Sequence, residues 1–263
     1  MKFGFRPENI LFMTDDQSDP LRLPTRHNMF MGFTWLMTGV KPGDSLVFHY
    51  SGHGSQQRDY SGDELDGMNE TLCPLDYKRA GEIVDDELNR QLVNPVPKGA
   101  KLHAIVDACH SGSVMDLPYS TRVVNGRLEW RSEYARPTRA YKGTAGGFAV
   151  QIGAALDSQT AADTTKLSGY TSTGAATYAF IQAIEQRGTT MTYGDLILCM
   201  DSTLHHALGS GGGGGGLSPA MMGGGALGGL LGGMLMGNTS NYQRQQPQLS
   251  CAWTFDLGYK FSL

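Results

Sequence analysis

The sequence has few charged residues, little net charge and no long apolar run. Charged residues make up 17% of the 263 positions and the formal net charge is −4, so the basic surface of a nucleic-acid-binding protein is missing. No window of about 18 uninterrupted apolar residues occurs, which argues against a membrane-spanning helix. No basic start leads into an apolar core, which argues against a secretory signal. We therefore expect a cytoplasmic protein whose partners include neither nucleic acid nor membrane.

Cysteine is also scarce, and its spacing is irregular. The four cysteines are Cys73, Cys109, Cys199 and Cys251. Because no C-x-x-C pair occurs, neither a zinc site nor a disulfide framework is indicated. Reduced thiols of a cytosolic protein are the simplest interpretation, and only the surroundings of each thiol can show whether one of them is special.

Short apolar segments alternate with amphipathic ones along the chain. Such alternation predicts an α/β fold with a mostly parallel central sheet flanked by helices. The predicted strands are 10–13, 45–50, 101–106, 149–156 and 251–259, and the predicted helices are 29–37, 85–92, 174–186 and 192–200. The polar, acidic stretch 56–70 and the Pro- and Arg-containing stretch 117–147 are predicted to be connections, and the glycine-rich stretch 209–237 a flexible insertion.

Two small-residue loops follow two of the predicted strands. "SGHG" (51–54) follows the strand at 45–50, and "DACHSG" (107–112) follows the strand at 101–106. In parallel sheets, functional groups lie beyond the carboxyl ends of the strands, so His53 and Cys109 are expected at one edge.

A cysteine nucleophile requires a thiolate and a neighbouring imidazole. His53 would activate the Cys109 thiol or protonate a leaving amine, and the backbone N–H groups of Cys109 and Gly54 would polarise a scissile carbonyl as an oxyanion hole. From the pattern alone, alternatives remain open. The cysteine would be inert and the histidine merely solvated, or His110 would take the place of His53.

Several motifs taken together resemble one family. "HYSGHG" and "DACHSG", with "LPTRHNM", "GDELDG", "ETLCPLDY", "IVDDELN", "KGTAGG" and "FDLGYKFSL", resemble the metacaspases, and most of all the plant type I form. The resemblance implies a caspase-like three-layer sandwich and a cysteine endopeptidase whose dyad is Cys109 and His53. It also implies one peptidase domain, 1–263. Within it, 1–130 is large-subunit-like and carries the dyad, 131–147 is a basic linker, and 148–263 is small-subunit-like.

Substrate preference is predicted from one carboxylate. Asp107 lies two residues before Cys109, where a carboxylate would pair with a substrate Arg or Lys. The resemblance implies cleavage of proteins or peptides after Arg or Lys, with Ser51 and Asp107 in the pocket. The alternative for Asp107 is a carboxylate that caps a loop.

Acidic residues suggest calcium, a hard cation that takes several carboxylate oxygens. No EF-hand spacing is present, and most acidic pairs on surfaces are simply solvated. The resemblance nevertheless implies calcium as an activator that orders loops, with no catalytic metal; the positions that match are Asp66, Asp85, Asp86 and Asp116.

The basic linker is an expected site of autocleavage. Arg139 and Lys142 are favoured there over Arg136, which Pro137 follows.

The sequence departs from the family at its beginning. The family's first apolar strand, the "GCxNDA"-type segment and the prodomain are not found, and loss of an interior strand would leave backbone groups unpaired on its neighbours. Two hypotheses follow. One is a monomeric, calcium-stimulated Arg/Lys endopeptidase with a role in proteolysis and programmed cell death. The other is a truncated, inactive variant that binds or regulates full-length relatives.

Overall fold

The computed structural model describes residues 3–60, 62, 67–108, 114–133, 141–156, 175–209 and 245–263. The strands are β1 Ser45–Ser51, β2 Gly54–Arg58, β3 Met68–Leu72, β4 Ile83–Val84, β5 Lys101–Asp107, β6 Tyr119–Val124, β7 Arg127–Ser132, β8 Phe148–Leu156 and β9 Gln245–Cys251. The helices are α1 Arg26–Met37, α2 Tyr77–Ala80, α3 Asp85–Leu88, α4 Ala175–Arg187 and α5 Tyr193–Gly209, and a π-helical turn, Asn89–Val93, continues α3.

The main sheet has six strands in the order β1-β5-β8-β9-β6-β7. Strands β1, β5 and β8 are parallel, β9 runs against β8, and β6 runs against both β9 and β7. Four of the six strands therefore point the same way. A second, antiparallel sheet has the order β2-β3-β4. The predicted α/β fold with a mostly parallel central sheet is confirmed.

Alternating side chains of β5 build two cores, one on each face of the sheet. Leu102, Ala104 and Val106 pack in a cluster that also contains residues of α1 and α3. Ile105 packs in a second cluster with residues of α4, α5, β8 and β9. The sheet is thus covered by helices on both faces, as the three-layer prediction requires.

The predicted strand at 10–13 is wrong. Among the described residues this segment pairs with no strand, and Phe12 is 63% exposed. Within the same part of the chain, β1 pairs along one edge only, with β5. An extended apolar segment becomes a strand only when a neighbour accepts its hydrogen bonds.

Two predicted connections contain strands instead. Strands β2 and β3 overlap the stretch 56–70 and pair in antiparallel register, with Gln57 opposite Asn69. Within 117–147, β6 and β7 form a hairpin that extends the main sheet. Its turn is Asn125–Gly126, with φ angles of 50° and 74°, the positive values of a type I′ turn. The Asn-Gly pair was the sequence signal for this hairpin.

The later predictions need smaller changes. The strand at 149–156 and the helices at 174–186 and 192–200 are confirmed as β8, α4 and α5. The last strand is wrong in position, because β9 ends at Cys251, where the predicted strand begins. Most of the glycine-rich stretch 209–237 lies outside the described residues. No helix among the described residues is both long and apolar enough to cross a membrane.

A buried histidine makes the fold sensitive to acid. His103 on β5 is 0% exposed, its Nε2 lies 2.6 Å from the Tyr193 hydroxyl, and its Nδ1 has no hydrogen-bond partner among the described groups. Burial chiefly, with Lys101 adding to the effect, lowers the pKa of His103 to about 3. The folded state therefore keeps this ring neutral.

We expect His103 to reduce stability as the pH falls from about 6.5 towards about 3. In this range the His103 imidazole is protonated in the unfolded chain but stays neutral in the folded chain. The expected cost in unfolding free energy is about 1.4 kcal/mol per pH unit, or about 2 kcal/mol between pH 7 and pH 5. Urea unfolding at pH 7, 6 and 5 measures it. His103→Leu should flatten the dependence, whereas His27→Leu, at an exposed position of α1, should not. Equal slopes for wild type and His103→Leu would contradict this role.

Candidate active site

The loop after β1 places His53 at the carboxyl edge of the main sheet. Ser51 lies opposite Asp107 in the parallel register, and the Gly52 N–H donates to the Asp107 carbonyl at 3.2 Å. A Cβ at Gly52 would stand 2.7 Å from the Tyr50 hydroxyl oxygen, so a larger residue there would displace the Tyr50 ring. The side chain of His53 is exposed, as a group that meets a substrate must be.

The backbone of His53 is held by two neighbours that the sequence did not reveal. The Tyr50 hydroxyl lies 2.8 Å from the His53 carbonyl and 3.1 Å from the Cys73 carbonyl, and the Cys73 N–H donates to the His53 carbonyl at 3.0 Å. Burial chiefly raises the pKa of Tyr50, so the hydroxyl stays protonated and remains a donor. Tyr50 therefore positions the histidine loop without approaching its imidazole.

Cys109 itself lies outside the described residues, as do 110–113. The residues that lead to it are described: β5 ends at Asp107, and Ala108 is buried. The structure thus brings the histidine loop beside the last residues before Cys109, on adjacent parallel strands. Gly54, the proposed oxyanion-hole donor, begins β2 directly after His53. The dyad and the oxyanion hole stay predictions.

Cys251 has a structural role. Cys251 at the end of β9 is buried, and its Sγ lies 2.9 Å from the Trp253 carbonyl oxygen. Burial chiefly raises the pKa of the Cys251 thiol to about 12. The thiol therefore stays protonated near neutral pH and is a poor nucleophile.

Asp107 caps a helix. It is 1% exposed, and its Oδ2 accepts a 2.6 Å hydrogen bond from the N–H of Thr177, in the first turn of α4. A carboxylate at this end of a helix also interacts favourably with the helix dipole. His49 of the neighbouring strand β1 also approaches this helix end, with its Nε2 3.3 Å from the Thr177 hydroxyl. The capping alternative for Asp107 is therefore realised, and the pocket role of Asp107 and exposed Ser51 remains a prediction.

Two of the acidic residues proposed for calcium bind a lysine. The Lys142 ammonium bonds Asp86 Oδ1 at 2.5 Å and also bonds Asp116 Oδ2. Both Asp85 oxygens accept backbone N–H groups, from Glu70 and Asp86, at 2.7 Å each. Within the described part of the chain, no group of three or more His, Cys, Asp or Glu side chains could hold a metal ion. The carboxylates have the right chemistry for calcium, but their present arrangement does not fit the ion. Asp66 lies outside the described residues.

The same contacts bear on autocleavage. Lys142 is buried, and its carbonyl oxygen, which would belong to the cleaved bond, accepts a 3.0 Å hydrogen bond from the Asn89 side chain. The Asn89 amide also contacts the carbonyls of Met115 and Asp116. Cleavage after Lys142 would therefore require local unfolding. Arg139 lies outside the described residues.

Comparison with known proteins identifies the family. Residues 1–118 match the family model for the metacaspase, peptidase C14 domain. The chain is 50% identical to metacaspase-1 of Arabidopsis thaliana over 262 residues, which cover 97% of this chain and 68% of that protein. This chain belongs to the metacaspase family. The predicted resemblance is confirmed, and membership assigns the chain to the cysteine endopeptidases.

Other metacaspases support the assignment. Metacaspase-2 and metacaspase-3 of Arabidopsis thaliana are 47% and 48% identical to this chain. The matches cover 100% and 78% of this chain, and 65% and 56% of those proteins. A solved structure from Geobacter sulfurreducens, 18% identical, reaches a TM-score of 0.47 over 90% of this chain and 78% of that one, which is too distant to add to the assignment.

Replacing Asp107 with Asn separates the two possible roles of this metacaspase residue. The amide oxygen of Asn can still accept the Thr177 N–H, so the cap of α4 should survive, but the negative charge is removed. We expect kcat/KM for an Arg peptide to fall on the order of 10- to 100-fold, the value of one charge-assisted hydrogen bond. Turnover of a matched citrulline peptide should change little. An unchanged preference for Arg would leave Asp107 with the capping role alone.

Proposed function

We propose that this metacaspase cleaves proteins after Arg or Lys with Cys109 as nucleophile and His53 as acid and base, and that calcium stimulates it. The observation that carries the proposal is the hydrogen bond from Gly52 to Asp107 between adjacent strands. It places the loop of His53 against the backbone two residues before Cys109. His53 and Cys109 can act together only if the loops that follow β1 and β5 lie next to each other.

The reaction follows from the chemistry of the two side chains. The Cys109 thiolate attacks the scissile carbonyl, and the N–H groups of Gly54 and Cys109 stabilise the developing oxyanion. The C–N bond then breaks as the imidazolium of His53 gives its proton to the leaving amine. Water, losing a proton to His53, hydrolyses the thioester, which releases the acid product and the Cys109 thiolate.

The preference for basic residues rests on the charge of Asp107. This carboxylate lies at the end of β5, close in sequence to the nucleophile. A guanidinium or ammonium group of the substrate would form a charge-assisted hydrogen bond with it. Ser51, opposite Asp107 in the register, would line the same pocket.

Regulation and context are part of the proposal. Calcium would act on loops and take no part in the chemistry, and autocleavage would occur in the basic linker. Arg139 is the better of the two predicted positions because Lys142 is buried. We propose a cytoplasmic monomer that acts in proteolysis and in programmed cell death.

One observation favours a second candidate function. Among the described residues, β1 has a strand partner on one side only, and the side chain of Phe12 is exposed. These two features together offer strand hydrogen-bonding groups and apolar surface to another chain. In this alternative the chain is inactive alone and binds or regulates a longer relative.

Cleavage of matched fluorogenic peptides ending in Arg, Lys, Asp or citrulline tests the proposal, with and without millimolar calcium. Turnover of the Arg and Lys peptides, raised by calcium and absent from Cys109→Ala, is the expected result. Folded protein that turns over none of the peptides would instead favour the binding alternative. Turnover of the Asp peptide would refute the proposed preference.

A further inference from the structure

Lys142 is a buried cation with two acidic partners. Its side chain is 5% exposed, that of Asp116 is 3% exposed, and that of Asp86 is 41% exposed. Buried lysines are rare and are paired where they occur. The ammonium lies between two carboxylates from different segments of the chain and bonds both of them.

The Lys142 ammonium therefore bonds two of the carboxylates that are proposed to bind calcium. Calcium takes six to eight oxygen atoms at about 2.3–2.6 Å. Asp86 Oδ1 and Asp116 Oδ2 are both engaged by Lys142. A divalent cation and an ammonium group bound to the same two oxygen atoms would also repel each other.

We infer that Lys142 is a tethered cation that competes with divalent cations for Asp86 and Asp116. The inference rests on the proposed calcium stimulation and deepens it, because a calcium ion reaches these carboxylates only when the ammonium leaves. When calcium is low, the Lys142 ammonium offsets one of the two negative charges that it bonds.

The position of Lys142 gives this competition a structural consequence. Lys142 lies within the predicted basic linker, 131–147, six residues before β8 begins. Its carbonyl is bound by Asn89, and the Ala145 N–H donates to the Asn94 carbonyl at 2.9 Å. Displacement of the ammonium removes its side-chain anchor from this segment. Ion binding would therefore remove one of the contacts that hold this part of the linker and leave these two backbone contacts in place.

Calcium titration by calorimetry tests the inference, with the full chain carrying Cys109→Ala so that self-cleavage does not interfere. Adding Lys142→Met should tighten calcium binding about tenfold or more, since a competing state is removed. Adding Asp116→Asn to that variant should abolish the gain. Lys98→Met, at an exposed lysine, is the matched control and should not change affinity.

A second measurement needs no change at Lys142. Trace acetylation followed by mass spectrometry should show Lys142 reacting slowly relative to Lys98, and faster when millimolar calcium is added. Magnesium serves as the comparison ion. If Lys142→Met does not fold, this labelling decides the question, and labelling of Lys142 unaffected by calcium overturns the inference.

Equal calcium affinity with and without Lys142, or no binding by either folded protein, also overturns the inference. Peptidase activity is measured separately, on protein that retains Cys109. Tighter calcium binding by Lys142→Met together with calcium-independent peptide cleavage would refute the proposed stimulation and leave the competition intact. The two failures are therefore distinguishable.

Discussion

Replacing His53 with Ala should lower kcat/KM for an Arg peptide on the order of 10³- to 10⁴-fold. The imidazole is proposed to activate the Cys109 thiol and to protonate the leaving amine, and positioned acid–base groups contribute rate factors of this size. Cys109→Ala should lose on the order of 10⁴-fold or more, because no covalent intermediate can form. Because the two groups act as a unit, the double variant should be little worse than Cys109→Ala.

Steady-state cleavage assays measure these losses, with circular dichroism to show that each variant is folded. His27→Ala is the matched control, since His27 is exposed on α1 and should retain wild-type activity. His53→Ala retaining more than about a tenth of the wild-type rate would contradict a general acid–base role. In that case His110, which follows Cys109 in sequence, becomes the histidine to replace.

Replacing Lys142 with Met should destabilise the fold by about 3–5 kcal/mol, the usual cost of removing one partner from a buried ion pair. Asp116 is buried, and Lys142 reaches it from a segment 26 positions later in the sequence. A loss of this size is a large part of the total stability of a typical domain, about 5–15 kcal/mol. Urea unfolding in calcium-free buffer measures it.

Two comparisons show whether burial is the cause. Arg131→Met removes an ion pair with Glu133 in which the arginine side chain is 50% exposed, and should cost no more than about 1 kcal/mol. Adding Asp116→Asn to Lys142→Met should recover part of the loss, because the buried negative charge is gone. Similar losses for Lys142→Met and Arg131→Met would contradict the buried-pair account.

Much of the fold could be predicted from local patterns. The apolar segments at 45–50 and 101–106 became β1 and β5, and the helix predicted at 29–37 became α1. Short continuous apolar runs are typical of strands buried on both faces, and β5 is buried along nearly its whole length. The prediction at 10–13 failed because a strand also requires a neighbour, which the segment's own residues do not encode. The strands within 56–70 and 117–147 were missed because polar residues hid a weaker alternation.

Some features of the candidate site were likewise predictable from the sequence, and others were not. Residue types and spacing by themselves indicated a cysteine and a histidine in small-residue loops after two strands, with an acid two residues before the cysteine. The resemblance to the metacaspases chose the dyad among the alternatives that this pattern left open. Only the tertiary structure decided that Tyr50 and Cys73 hold the backbone of His53, that Asp107 caps α4, and that Lys142 binds Asp86 and Asp116. The physical reason is range. Local patterns report how a segment meets its own neighbours, whereas hydrogen bonds and ion pairs between distant segments exist only after the chain has folded.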